Sequence, residues 1–274
     1  MAPTPLDIEM KAFEHATDQR IDGSSICLIR LDGVGFSKYT RQSCFEKPFS
    51  KSFAQAMLDT ARALCDRFNV ECVYTSSDEI TMVLRRSWDL HNVGTVDAIR
   101  LNKVYKPYIY NGRVQKLASI SAATATAAFN EAIHKLFTDI DTPKGIAMFD
   151  ARVFTVPDEE AAVRNIQWRS SHDAARNSFS KLAQHFLGPR KLHDLSRKAL
   201  AEELYAKFKV SWTDLDTHYR YGTLVHKQTT LMKCKNQKTG EMELVFRWPI
   251  VETPLTEKLV KDDTALLEFL FQRL

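Results

Sequence analysis

Asp32 ends an apolar run and is followed at once by Gly33-Val34-Gly35, and Asp78-Glu79 separate two further short apolar runs. Alone, an aspartate at a strand end is an ordinary turn or cap residue. Asp78-Glu79 alone reads equally as a solvated acidic turn. Taken jointly they suggest chemistry. If the chain between them forms one helix that crosses back onto the same sheet, both carboxylates reach the same edge. There their charges repel, and a divalent cation relieves the conflict. Mg2+ favours a few carboxylates together with phosphate oxygens and water. Two such ions about 3.5–4 Å apart activate an attacking oxygen and stabilise the departing one. Gly33 lets its backbone approach a ligand closely, and its carbonyl can complete a metal shell. Val34, Gly35, Phe36 and Ser37 can offer backbone N–H groups to a triphosphate.

Cations in the sequence supply candidate phosphate contacts. Lys47 precedes Pro48 in a short loop after the first apolar run. Arg113 and Lys116 lie three apart at the expected start of a helix, which puts both on one face, and the helix N-terminus adds partial positive charge. An exposed basic pair explains Arg113 and Lys116 as well.

The elements that must position these residues follow from periodicity. Residues 24–31 (SSICLIRL) are apolar on both faces apart from Arg30, which predicts a central strand covered on both sides. Phe53, Met57, Leu64 and Phe68 recur at helical spacing, predicting an amphipathic helix over 49–68. Strands are expected at 70–76 and 80–84, with Ser77-Asp78-Glu79 between them. A polar segment covers 85–116, with Pro107 and Asn111-Gly112 as breakers. A helix over 117–137 begins with small apolar residues suited to close packing on a sheet. Then come a strand at 146–156, helix from 158 to a stop at Gly188-Pro189, and a short helix over 196–208. Alternation in Met242–Trp248 predicts a hairpin over 223–248, turning at Asn236–Gly240. The expected class is α/β (α+β): a sheet-and-helix domain over 1–157, with a helical and hairpin extension over 158–274 packed on it as one unit.

Composition sets the outer limits. The chain has 274 residues, 44% hydrophobic and 26% charged, with a net charge of +4 and a pI near 8.7. These values suit a globular enzyme and permit a polyanionic partner. Five cysteines form no close pair or Cys/His cluster, which suggests neither disulfides nor zinc, and Cys27 and Cys65 read as small core residues. The first twenty residues lack the apolar centre of a signal peptide. No run approaches the roughly 18 apolar residues that span a bilayer. A cytoplasmic protein with no membrane partner is expected.

Four ordered blocks resemble the tRNA-His guanylyltransferase family. They are Arg30-Leu31-Asp32-Gly33-Val34-Gly35-Phe36-Ser37-Lys38-Tyr39, Phe45-Glu46-Lys47-Pro48-Phe49, Ser76-Ser77-Asp78-Glu79 and Phe149-Asp150-Ala151-Arg152-Val153-Phe154. Order and spacing match over roughly residues 20–185. The resemblance implies a ferredoxin-type palm like that of DNA polymerases, adding nucleotides to tRNA in the 3′-to-5′ direction. It implies two Mg2+ ions on Asp32, Asp78 and the Gly33 carbonyl, with Glu79 as a supporting carboxylate and ATP and GTP as substrates. Residues 32–37, Lys47, Ser77 and Asp78 would hold one nucleotide, and Arg113 and Lys116 a second triphosphate. It also implies a homotetramer.

The chain departs from that pattern at one block. Enzymes that guanylylate tRNA-His carry His-Ile-Asn-Asn after the fourth block, where this chain has Ser171-His172-Asp173-Ala174-Ala175-Arg176-Asn177-Ser178. That resembles the guanylyltransferase-like branch, which repairs 5′-truncated tRNAs by template-directed addition. Asp173, Arg176 and Asn177 read either as nucleotide or RNA contacts or as a polar helix face. Lysines near the expected hairpin turn (Lys227, Lys233, Lys235, Lys238) fit RNA backbone or plain solvation. Trp168, Trp212 and Trp248 are expected in the core, with base stacking as the alternative. Three other readings stay open: a tRNA-His-specific guanylyltransferase, a nucleotide cyclase on the same two-metal palm, and a non-catalytic RNA-binding protein. The Gly-Gly-Asp/Glu-Glu-Phe signature of cyclic-dinucleotide synthases is absent from the acidic turn.

Overall fold

Strand β1 (Ile26–Gly33) is apolar on both sides because both sides are covered. Cys27, Ile29 and Leu31 pack into one layer and Ile26 and Leu28 into the other, all buried. In this computed structural model the described residues are 2–42, 44–86, 107–137, 142–235 and 240–271. Most of the expected 85–116 segment, the turn residues 236–239 and Lys238 lie outside them.

Helix α1 (Pro5–His15) precedes β1, and one short turn, α2 (Phe36–Tyr39), follows it. Helix α3 (Lys51–Arg67) starts where the Ser50 hydroxyl accepts from the Phe53 N–H and buries Met57, Ala61, Leu64 and Cys65. Strands β2 (Val70–Ser76) and β3 (Glu79–Leu84) form a tight hairpin. Helix α4 (Val114–Leu136) presents Ser121 and Ala125 to the core, and these small side chains allow the close packing expected of that segment. Strand β4 (Phe149–Val156) completes a β-α-β-β-α-β unit. Its strands lie in the order β4-β1-β3-β2 with every neighbouring pair antiparallel, so β1 and β2 run the same way with β3 between them. This is the ferredoxin-type palm that the family resemblance implies. Helices α3 and α4 cover one face.

The opposite face is closed by α5 (Glu159–Gln167), a seven-residue π-helical turn over Trp168–Ala174, and α6 (Ala175–Leu187). Helix α6 stops at Gly188, and α7 (Pro189–Asp194) begins at the proline. Then follow α8 (Arg197–Phe208) and α9 (Thr217–Tyr221). After the strands described next, α10 (Glu257–Lys261) and α11 (Asp263–Leu270) pack beside α5.

The expected hairpin over 223–248 is corrected in part. Strand β5 (Thr223–Lys227) pairs with β2, and β8 (Ile250–Pro254) pairs with β5, so both widen the main sheet. Only β6 (Thr230–Lys235) and β7 (Met242–Arg247) form a separate two-stranded ribbon. The run Thr223-Leu224-Val225 is fully buried and has the pattern of a sheet strand rather than of a ribbon arm.

The core expectation for tryptophan is also corrected. Trp168 is 47% exposed and Trp248 58% exposed, and of the three expected in the core Trp212 alone packs against core clusters. Trp168 serves instead as a platform, with the Arg169 guanidinium 4.2 Å from its ring centre. Cys27 and Cys65 are buried as expected, and burial pushes their thiols up to about 12 and about 11. Neither is a candidate nucleophile at neutral pH. Among the described residues no helix is long and apolar enough to cross a membrane.

Candidate active site

Register alone brings the acidic residues together. Asp32 sits opposite Glu79 on β3 and opposite Asp150 on β4. Asp78 occupies the turn between β2 and β3, and its carbonyl accepts the Gly33 N–H at 3.2 Å. Ser77, beside it, holds φ +54°, a left-handed conformation sparsely used by residues with a side chain. Such outliers gather at sites where surrounding structure holds them. Gly33 is required sterically, because a Cβ there would lie 2.3 Å from Phe36 Cγ.

Electrostatics separate the three carboxylates into two roles. Burial and then the Asp78 carboxylate hold the Asp32 carboxyl above its ordinary value. Among the described residues neither Asp32 nor Asp78 enters a salt bridge. Glu79, in contrast, receives Arg30 Nη2 at 2.9 Å and Arg169 Nη1 at 3.3 Å. Burial raises its carboxyl even against the two guanidiniums. Glu79 therefore ties the sheet to the π-helical turn, while Asp32 and Asp78 keep free oxygen atoms. Among the described residues no three His, Cys, Asp or Glu side chains converge to hold a metal by themselves. The Asp32 and Asp78 carboxylates are oxygen donors of the kind that could hold a hard cation, which takes its remaining ligands from phosphate and water.

Two cavities meet at Ser77 and Asp78. One, of about 110 Å³, is walled by Phe49, Tyr219, Arg169, Asp173, Asn177 and Lys181. Phe49 and Tyr219 lie there with ring centres 4.8 Å apart and planes tilted by 31°. The other is a more open cleft of about 450 Å³ that includes Ser37, Thr40, Arg41, Lys47, Lys181 and His185. Lys181 belongs to both, its Nζ 5.4 Å from the Phe49 ring centre. Its side chain touches solvent, yet the crowding of the cavity wall and then the Lys47 ammonium lower its pKa. Lys47 donates to the Thr40 carbonyl.

The expected site residues thus divide. Asp32, Gly33, Asp78, Ser77, Ser37 and Lys47 come to one end of the sheet. Val34 and Gly35 are exposed on the loop there, with Gly35 at φ +67° opening α2. Phe36 is on that loop too, but its ring is buried among Tyr39, Phe53, Phe129 and Phe149. Only its backbone can face a ligand. Asp173 and Asn177 line the enclosed cavity. Arg176 is exposed and bonded to Asp173 at 3.3 Å.

Arg113 and Lys116 are not brought to the acidic residues within this chain. Arg113 is bonded to Asp18 at 2.9 Å at the head of α4. Val114 and Thr126 are roughly 18 Å apart along that helix. Thr126 is the residue whose hydroxyl accepts from Phe149, the register partner of Gly33. The spacing of Arg113 and Lys116 set a common helix face but could not set which end of the sheet that face would occupy.

Three residues were missed by sequence reasoning: Arg30, Arg169 and Lys181. Arg30 carried a signal, as the lone charge in an apolar strand. Arg169 carried a weaker one, four positions before Asp173, to which it is bonded at 2.7 Å.

Comparison with known proteins agrees with this fold. Residues 7–157 match the family model described as tRNAHis guanylyltransferase. An uncharacterized protein of Acanthamoeba polyphaga mimivirus is 30% identical over 98% of this chain and 90% of its own length. The tRNA(His) guanylyltransferase of Neurospora crassa is 21% identical over 79% of this chain and 71% of its own. A solved bacterial tRNA(His) guanylyltransferase-like protein in complex with ATP superposes with a TM-score of 0.75 at 25% identity, covering 98% of this chain and 100% of that one.

Proposed function

The chain belongs to the tRNAHis guanylyltransferase family of nucleotidyltransferases, and from that premise we propose that it adds nucleotides to the 5′ end of tRNA in the 3′-to-5′ direction, as a template-directed repair of truncated ends. One observation carries the reading: Asp78 lines both cavities where they meet, beside Lys47 and Lys181, and Asp32, one residue before the Gly33 that is fastened to Asp78, lies close enough for the Asp78 charge to raise its carboxyl.

The reaction has two phosphoryl transfers and needs no protein nucleophile. An oxygen of the RNA 5′-monophosphate attacks the α-phosphorus of ATP, forming a phosphoanhydride and expelling pyrophosphate. The 3′-hydroxyl of an incoming nucleotide such as GTP then attacks the 5′-phosphorus of the activated RNA. A phosphodiester forms, AMP leaves, and the hydroxyl proton passes to solvent. An RNA that already carries a 5′-triphosphate enters at the second transfer and expels pyrophosphate in place of AMP.

Asp32, Asp78 and the Gly33 carbonyl would hold Mg2+, which when bound neutralises charge on the transferring phosphate and lowers the pKa of the attacking oxygen. Lys47 and Lys181 place positive charge along the triphosphate, and Ser37 and the α2 backbone line the same cleft. The enclosed cavity, with its Phe49–Tyr219 wall, suits the flat base of the activating nucleotide. Positioning and charge neutralisation account for this kind of catalysis. Base choice rests on pairing with the opposite RNA strand. The active form is a homotetramer in the cytoplasm, a state read by sedimentation of the full chain.

The names of several relatives favour a narrower activity, guanylylation of tRNA-His. The block at Ser171–Ser178 favours repair instead, because it stands where enzymes that guanylylate tRNA-His carry His-Ile-Asn-Asn. An extension assay separates the two. With ATP, GTP and Mg2+, tRNAs lacking their first 5′ nucleotide are extended and intact tRNA-His is not. Extension of tRNA-His alone establishes the narrower activity. A cyclic nucleotide formed without RNA overturns both readings.

A further inference from the structure

Helix α1 is an ordered element with nothing to bury. None of its eleven residues is buried, although an isolated helix of that length is marginal in water. Leu6, Met10 and Phe13, spaced i, i+4, i+7, form an apolar stripe, with Leu6 63% and Phe13 67% exposed. Glu9 flanks the stripe on one side and Asp7 and Glu14 on the other, against the single cation Lys11.

The β6–β7 ribbon has the complementary character. Register pairs Leu231 with Phe246, Lys233 with Leu244 and Lys235 with Met242, so these six side chains share one face. An apolar row, with Leu244 60% and Phe246 55% exposed, runs beside two lysines. A free two-stranded ribbon is itself marginal without a covering partner.

We propose that α1 of one copy docks on this ribbon face of a second copy of the same chain, apolar stripe to apolar row and carboxylates to lysines. Both surfaces lie at the end of the sheet remote from Asp32. The segment after α1 joins the head of α4 through the Ile21 N–H and the Gly112 carbonyl. The ribbon leaves β5, which runs antiparallel to β2 and away from the Ser76 end. Each copy can therefore give its helix and receive its partner's about one two-fold axis, a self-complementary arrangement, and the acidic site stays open to RNA.

This proposal rests on the chain assembling with itself, as proposed above. Sedimentation of the full chain tests it with charge reversals at exposed positions. Glu9→Lys with Glu14→Lys, or Lys233→Glu with Lys235→Glu, is expected to reduce the assembly by one level. In low salt, mixing the two double variants, or combining all four changes in one chain, restores it. Unchanged melting temperatures confirm that each variant is folded. A wild-type chain that sediments as a monomer overturns both the tetramer and this contact. An assembly indifferent to either double variant, or not restored by the fourfold change, overturns the contact alone. Loss of RNA affinity in the ribbon variant with assembly intact assigns the ribbon to RNA and also overturns it.

Discussion

The Gly33 N–H donates to the Asp78 carbonyl at 3.2 Å, so the end of β1 is fastened to the β2–β3 turn that carries the second carboxylate. The fastening depends on Phe36 folding beneath Gly33, in space that any Cβ would enter. Gly33→Ala should therefore push Phe36 out of its aromatic cluster. Overpacking of this kind costs about 1–3 kcal/mol. Urea unfolding should show that loss, together with a more than tenfold drop in nucleotide addition. A variant of wild-type stability and activity would show that the close approach is dispensable.

Asp32 makes a prediction in which stability and activity move in opposite directions. Its folded pKa is raised above the ordinary 3.8, first by burial and then by Asp78. A raised value means that stability present below pH 3.8 is lost as pH rises through the folded pKa. At neutral pH the ionised group therefore opposes folding in metal-free protein. Asp32→Asn should raise the melting temperature at pH 7 without Mg2+, lose that advantage below about pH 4, and abolish addition. A lower melting temperature at pH 7 would contradict the repulsion argument.

Arg169 holds Glu79 and Asp173 at once. Its guanidinium counters the burial that raises the Glu79 carboxyl, so Arg169→Met should raise that carboxyl further. The acid limb of the kcat/KM profile should then move to higher pH, with kcat lowered about tenfold or more and Arg169→Lys recovering part of the loss. An unmoved acid limb would reduce Arg169 to a packing residue.

Lys181 stands where the enclosed cavity and the open cleft join. Lys181→Ala should raise KM for ATP about tenfold, or ~1.4 kcal/mol, near what one hydrogen bond to a charged group supplies. RNA binding measured without nucleotide should change little. An unchanged KM would remove Lys181 from the triphosphate path.

The first strands and helix were legible because β1, β2 and β3 are buried on both faces and α3 is amphipathic, so SSICLIRL and the Phe53–Phe68 stripe each had one consistent reading, while the palm topology came from the family resemblance. Asp32, Gly33 and Asp78 were legible because they interrupt those patterns. Arg169 and Lys181 were not, since a π-helical turn shifts the helical register between α5 and α6 and no period reports where the next side chains point. Arg113 and Lys116 show a related limit: spacing fixes a face of a helix, while tertiary packing decides which end of the sheet it meets. Exposed Trp168 and Trp248 fail the core expectation for a third reason, because an indole also serves as a platform for a cation or lies on a surface that burial in one chain does not cover.

Anomalous diffraction from a crystal grown with Mn2+ and a non-hydrolysable ATP analogue tests the central claim most directly. The account predicts a manganese peak within coordination distance of both the Asp32 and Asp78 carboxylates and of the triphosphate. A triphosphate bound with its manganese elsewhere, and Asp32 and Asp78 free of metal, would contradict it.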